Sequence, residues 1–413
     1  MSAPSATVSP ALPRVVVSQG LAIAVLALLL SIQPVTTDLY LPALPSLTRD
    51  LGAPVTAGPL TLSALLLAFG ASQLVWGPLS DRFGRRPVLL WGLAIYTLAS
   101  LGSAFAPSMA LLVAWRTAQG AAMGAVVMCA RAIVRDLYDP LAGARTMSKA
   151  LTGLGLIACL CAPLGGLLSQ TMGWRAALLA LTAYAAGTLA LVALRMPETL
   201  HTPNPRALQP ATLARTWAMV LRNPTFWAFC LLTTCSYGGL FTFLAASSFV
   251  FIEVLGLART QYGWVLLSTA LAYFCGTFLC RRLLARHGLR RSVALAGGLS
   301  LAGGLGLTAV AALGVRHPVA LLAPFYLFMV AHGIHQPCGQ TGSVGPFPQA
   351  AGVASALNGF VMMLVAFGIG GWVGAHLNGT VWPLVQGILF WSVALALVAW
   401  TLVHRYGDPD ARA

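Results

Sequence analysis

Long apolar runs alternate with short polar intervals along this chain, and their regularity sets its architecture. After a Ser/Pro/Ala-rich stretch at 1–18, expected to be disordered, apolar runs recur near 20–40, 56–80, 88–106, 109–133, 147–171 and 174–196. Six more fit near 225–250, 262–284, 292–314, 318–342, 350–374 and 381–404. A run of about 20 residues, as a helix, crosses the hydrocarbon core of a bilayer. The pattern therefore predicts an all-α membrane protein of twelve transmembrane helices. They divide into an N-terminal six-helix bundle (19–196), a linker (197–224) carrying five prolines, a C-terminal six-helix bundle (225–404) and a tail (405–413). Within the linker, Leu213, Trp217, Val220 and Leu221 recur at helical spacing beside Arg215 and Arg222, which predicts a short interfacial helix.

The two sixes are copies. Arg82, Gly84 and Arg86 match Arg286, Gly288 and Arg290 at an offset of 204, and Ala150-Leu151-x-Gly153 matches Ala356-Leu357-x-Gly359 at 206. The second loop has Ala285 where the first has Asp81. Two parallel, pseudo-symmetric six-helix repeats with a site between them form a transporter architecture.

Composition narrows the class. The 413 residues are 58% hydrophobic and 8% charged, with mean hydropathy +0.83, whereas soluble domains are about a quarter charged. The net charge of +15 points to no nucleic acid, because the basic residues form no stripe with interleaved aromatics. They follow the apolar runs instead. With the N-terminus inside, nineteen of the 24 fall in inner segments, four (Arg49, Arg175, Arg259 and Arg316) in outer loops, and Arg116 lies within a span. That bias predicts both termini on the cytoplasmic side. The eight cysteines sit in or beside apolar runs without metal-ligand spacing, so they are expected as small buried residues and no metal site is expected.

The densest cluster of charge is Gly77-Pro78-Leu79-Ser80-Asp81-Arg82-Phe83-Gly84-Arg85-Arg86-Pro87. A turn with four charges cannot lie in hydrocarbon, so it joins two antiparallel helices at the membrane surface. Ionisable groups inside the spans are few, and each is costly unless it has a partner or a task. Asp38 ends the first span and Arg116 sits about 10 Å into the fourth. Both belong to the outer half, where they are expected to meet or to be bridged by Gln119. Competing readings are a surface residue for Asp38 and a structural cation for Arg116. A carboxyl beside an aqueous cleft gains proton affinity when buried and loses it when exposed to water or to an arginine. Alternating access supplies both environments, so Asp38 is the expected protonation site and Arg116 its modulator.

In the fifth span, Gly155 and then Pro163-Leu164-Gly165-Gly166 allow close packing and bending, as in a gating helix. Candidates for a substrate cavity are Thr37, Tyr40, Met123, Tyr237, Phe241, Phe328, His332, Asn358 and Met362, with core packing the competing reading for the aromatics and the histidine. There is no nucleophile–base pair, phosphate loop or zinc-protease motif, so an enzyme is not expected and no catalytic residue is assigned.

These stretches together resemble the twelve-helix drug:proton antiporters of the major facilitator superfamily, and within them the Bcr/CflA type associated with bicyclomycin and chloramphenicol resistance. The resemblance covers about 20–404. It rests on Asp38-Leu39-Tyr40-Leu41-Pro42-Ala43-Leu44-Pro45, the 77–87 loop, Arg116-x-x-Gln119-Gly120, Arg131-Ala132-Ile133-Val134-Arg135-Asp136-Leu137, the Pro163 stretch, Gly173-Trp174-Arg175, Pro197-Glu198-Thr199 and Ala351–Leu357. It implies multidrug efflux from the bacterial cytoplasmic (inner) membrane, in which a small amphipathic drug leaves in exchange for a proton by alternating access. It implies no cofactor beyond the proton gradient, and a monomer in the lipid bilayer. It also implies that Asp81 latches the outward-facing state near the start of helix 11 and the arginines ending helix 4. Gly77, Arg82, Gly84, Arg85, Arg86, Arg131 and Arg135 belong to that latch. Some relatives carry a second acid eight residues before Asp38. Leu30 stands there, which favours exchange of one proton and disfavours dications. The alternative is a proton-coupled exporter of an amino acid, sugar or purine. A non-transporting receptor or scaffold would have no use for an acid in the bilayer.

Overall fold

A computed structural model describes residues 18–138, 140–200 and 208–407; residues 1–17 of the expected disordered N-terminus and most of the tail lie outside them, while Ser18 belongs to the start of the first helix. Within those residues the backbone is helical and no strand occurs. Lipid offers no partner for a bare N–H or C=O, so each apolar run closes its hydrogen bonds on itself as a helix. The N-terminal bundle comprises α1 (Gln19–Asp38), α2 (Gly58–Phe83), α3 (Arg85–Ala104), α4 (Met109–Leu137), α5 (Pro140–Thr171) and α6 (Trp174–Arg195). Ser18 and Ser108 cap α1 and α4 by accepting backbone N–H bonds, as short hydroxyl side chains do at helix starts.

The C-terminal bundle begins with α7 (Pro224–Ser248), extended by a π-helical turn Phe249–Val254. An unbroken helix Arg259–Ala312 would be about 80 Å long, more than twice the bilayer core. Gly288 breaks it with φ 71° and ψ 178°, so α8 (259–287) and α9 (289–312) form a hairpin. The next helix, α10 (Pro318–Val344), records the fold-back. Its early turns touch both Ser268, through Tyr326 at 2.8 Å, and Gly303, beside the Pro324 carbonyl. Its late turns touch both Cys280, through Cys338 at 3.8 Å, and the Val293 carbonyl, through His335 at 3.3 Å. α11 (Ala351–His376) and α12 (Trp382–Val398) complete twelve spans. The linker carries the expected helix, Pro210–Leu221, which buries Val220 and rests Trp217 on the starts of α7 and α11. Cys275 is exposed and Cys159 half-buried, a correction to the expectation that every cysteine is buried.

The bundles meet along two seams, α2 with α11 and α5 with α8, which exchange under the repeat symmetry. At the face opposite the arginine-rich turns, backbone approaches backbone. A Cβ on Gly166 would stand 2.5 Å from the Arg259 carbonyl, one on Gly263 2.6 Å from that of Ala162, and one on Gly374 2.5 Å from that of Thr56. Arg259 donates to the Ser169 carbonyl, and Arg49 pairs with Glu253 at 2.5 Å. Towards the basic face side chains make the nearest approaches across the seams, Met363 over Gly70 and Phe274 over Gly155. The molecule is shut on the opposite face and parted on the basic one.

Candidate functional site

Between the bundles lies a cavity of about 370 Å³, reaching from Asp38 to Arg131, Gln340, Val344 and Ser355 at the basic ends of α4, α10 and α11. Among the described residues Asp38 is the one carboxylate in its wall, half-buried, accepting a 2.8 Å hydrogen bond from the Thr37 hydroxyl. Gly165 explains how the end of α1 is fixed. A Cβ there would stand 1.9 Å from the Leu39 carbonyl, so α5 presses its backbone against the residue that follows Asp38. Gly166, the next residue, presses α5 against the other bundle. One stretch of α5 therefore touches both the acid-bearing end of α1 and the closed seam.

Arg116 does not meet Asp38. Its guanidinium is fully buried and donates from Nη2 to the Thr36 carbonyl at 3.1 Å and from Nη1 to Gln119 at 2.6 Å. It lies 4.1 Å over the Tyr40 ring. Thr36 and Asp38 are about 200° apart around α1 and so lie on opposite faces, and the chain just beyond α1 brings Tyr40 to the Thr36 side. Arg116 packs behind the helix and Asp38 in front of it. Gln119 likewise turns away, donating to Ser100 at 2.6 Å. The Tyr96 and Thr36 hydroxyls meet at 2.5 Å, as do those of Tyr40 and Thr61. This is a correction: the expected pair is instead a buried polar lattice that anchors the end of α1 to α2, α3 and α4.

Of the other cavity candidates, Tyr237, His332, Asn358 and Met362 line it. Tyr40, Met123, Phe241 and Phe328 do not; each is fully buried in its own bundle. Phe328 packs on Gly239, where a Cβ would stand 2.1 Å from its ring, and Phe241 sits one turn beyond Tyr237. Thr37 reaches the site only through its bond to Asp38. Sequence reasoning missed Gln73, Gln336 and Gln340 in the wall. The signal was present: amides inside apolar spans are costly without partners, and Gln336 and Gln340 share a helical face with His332 at four-residue spacing.

At the basic face, Arg85 is the hub of the charged turn. It is 3% exposed and pairs with Asp81 at 2.6 Å and Asp136 at 2.8 Å, while donating to Ser80 at 2.7 Å. Asp81 thus pairs within its own turn, and among the described residues its ion pair is not with Arg131, Arg135 or α11, where the latch expected of the outward-facing state would form. The physical reason is that the seams are parted here. What crosses the gap is Arg131, at 3.4 Å from Ser355 of α11. Gly77 packs beside Met128, Arg82 stacks on Phe83 and Arg86 donates to the Met196 and Ala193 carbonyls. Glu198 gives the Pro197-Glu198-Thr199 stretch its task. Its carboxylate accepts the backbone N–H groups of Arg85 at 2.9 Å and Arg86 at 3.1 Å, capping α3. Among the described residues no cluster of three or more histidine, cysteine or acidic side chains suits a metal.

The family model described as Major Facilitator Superfamily matches residues 26–371. Multidrug resistance protein D of Escherichia coli is 33% identical over 341 residues, covering 81% of this chain and 83% of that protein. The Chloramphenicol resistance protein of Pseudomonas aeruginosa is 26% identical over 377 residues, covering 89% and 87%. A solved D-xylose-proton symporter superposes with TM-score 0.70 at 17% identity, covering 93% of this chain and 98% of that one, a likeness of fold.

Proposed function

The chain belongs to the major facilitator superfamily, multi-pass membrane transporters of small molecules and not enzymes, and we propose that it exports drug-like amphipathic compounds in exchange for protons. Asp38 carries the reading. Among the described residues it is the single carboxylate lining a cavity that is closed at one face and reaches the other, which suits use of one site by a proton and a cargo in turn. Closing the basic face and opening the opposite one would part Gly166 from Arg259 and shift α5 against Leu39, changing the surroundings of Asp38 as access changes. Arg116 acts as a positioning residue, holding the end of α1 through the Thr36 carbonyl. The relatives named for multidrug and chloramphenicol resistance support the drug class. The arginine bias of the loops supports a bacterial cytoplasmic membrane with both termini inside, and hence an inward-facing state here.

Inside-out vesicles with an acid interior test this, with a pH dye reporting proton release as chloramphenicol, a quinolone or a lipophilic cation is added. Release on adding a compound, lost in Asp38→Asn, is expected. Protons unmoved by every compound would remove the drug-exchange reading.

A further inference from the structure

Five arginines surround the turn between α8 and α9: Arg281, Arg282, Arg286, Arg290 and Arg291. Among the described residues no acid pairs with any of them. The copy of this turn after α2 carries three arginines, and Asp81, Asp136 and Glu198 are set against them. Both turns lie on the basic face, so membrane orientation alone does not account for the difference.

The first repeat shows what the second lacks. There the Glu198 carboxylate accepts the backbone N–H groups of Arg85 and Arg86, and Arg86 Nε donates to the Met196 carbonyl at 2.8 Å. Both acceptors come from the chain that follows α6. In the second repeat Arg290 stands for Arg86, and the turns that prolong α12, Ala399–Val403 and His404–Tyr406, stand for that chain. The positions 204 and 206 residues after Glu198 hold Leu402 and His404, and neither is an acid. Arg290 Nε is buried without a hydrogen bond. Among the described residues no side chain accepts from the backbone N–H of Leu289 or Arg290. A helix start and an arginine thus keep the donors of an anion site whose anion the chain does not supply.

The surface below these donors is apolar. Trp264, Leu271 and Phe278, seven residues apart on α8, are all exposed, and Arg281 lies 5.0 Å over the Phe278 ring. Arg291 is exposed one turn from the exposed Leu295. Trp400 is exposed beside them and donates to the Ala294 carbonyl at 3.0 Å. In a membrane-spanning bundle such stripes face acyl chains, so the guanidinium groups that end them stand at headgroup level.

We infer that the start of α9 binds the phosphodiester of an anionic phospholipid, which gives the second repeat the anion that Glu198 gives the first. Arg290 and the first backbone N–H groups of α9 hold the phosphate, Arg291 favours a net negative headgroup, and Leu295 and Trp400 carry an acyl chain. A soluble phosphate would use the donors but leave the apolar stripe unused. A choline lipid would bring a cation among the arginines. The bound lipid ties α9 to the end of α12 as Glu198 ties α3 to the end of α6. The inference requires a membrane-spanning chain and does not depend on its cargo.

Native mass spectrometry of the purified full-length protein tests it, with phosphatidylglycerol or phosphatidylcholine titrated in detergent and bound lipid counted. Phosphatidylglycerol is expected to bind at least about tenfold more tightly than phosphatidylcholine. Arg290→Gln should weaken it by about tenfold, the scale of a lost charge-assisted hydrogen bond, and Arg82→Gln in the first turn by less than about twofold. His404→Glu places an acid where the repeat offset sets Glu198, so it should also weaken lipid binding. His404 is exposed, and an unchanged melting temperature checks that this variant folds. Equal affinity for the two lipids, binding of neither, or unchanged binding in both Arg290→Gln and His404→Glu would each overturn the inference. So would an equal loss in Arg82→Gln, or displacement of the lipid by inorganic phosphate at equal concentration.

Discussion

The charged turn after α2 and its copy after α8 have one shape and two chemistries. In both, a glycine breaks the helix at positive φ, Gly84 at 104° and Gly288 at 71°, with ψ extended in each. Only the first turn is wired. Arg85 there joins Asp81 and Asp136, and Glu198 caps the following helix, whereas the equivalent positions of Asp81 and Arg85 hold Ala285 and Leu289. Glycine supplies the fold-back, since that backbone region is nearly closed to other residues. The ions are not needed to make the turn. Their restriction to one repeat matches the cavity, where the charged side chains, Asp38 and Arg131, also belong to the N-terminal bundle. The repeats share a frame, and the proposed proton site, Asp38, lies in the one that carries the charge.

The strongest challenge to that division pairs Gly165 with Gly371, which match at an offset of 206. A Cβ on Gly165 would meet backbone at 1.9 Å, while Gly371 has nothing within 4 Å. Gly165→Val should therefore reduce vesicle transport to below roughly a tenth of wild type, and Gly371→Val should leave more than about half, because backbone contacts cannot yield as side chains do. Next comes Arg85→Ala, which leaves the carboxylate of Asp136, 12% exposed, without its partner. A loss of about 3–5 kcal/mol in detergent unfolding is expected, against about 1–2 kcal/mol for Leu289→Ala in the copy. Gly84→Ala and Gly288→Ala should each cost about 1–3 kcal/mol of backbone strain. Gly84→Ala should cost more, because its Cβ would stand 2.5 Å from the Glu198 carboxylate and disturb the cap of α3. Equal costs would deny the first turn its wiring.

The smallest effect lies where the repeats touch each other. Arg49 and Glu253 are 204 residues apart, the repeat offset, and pair across the closed face. Both are substantially exposed, so a double-mutant cycle should return only about 0.2–1 kcal/mol of coupling. Arg49→Glu and Glu253→Arg should each alter the transport rate, and the swapped double variant should restore it.

The spans, the six-plus-six division and the second helix break were legible because hydropathy and the glycine–arginine spacing report on the bilayer and on backbone geometry directly. Asp38 and the fifth-helix glycines stood out as residues that lipid-facing packing does not explain. The helix face was not legible. Lipid and protein core are equally apolar, so α7 carries no polar stripe strong enough to separate Tyr237 from Phe241, and on α10 the row of His332, Gln336 and Gln340 does not show that Phe328, one turn before it, leaves the cavity. The Asp38–Arg116 pairing failed for the same reason: both positions lie at similar depth, but only packing shows that Arg116 reaches α1 from behind. Glu198 was legible as a motif, not as a cap, because its partners are backbone groups more than a hundred residues away.

Asp38 is proposed to couple the proton to the cargo in the cavity it lines. Counterflow in proteoliposomes tests it most directly, because exchange of labelled for unlabelled chloramphenicol needs the cargo site and alternating access but no proton gradient. Asp38→Asn should retain that exchange and lose accumulation driven by a pH gradient. Gradient-driven accumulation at the wild-type level in Asp38→Asn would contradict the account.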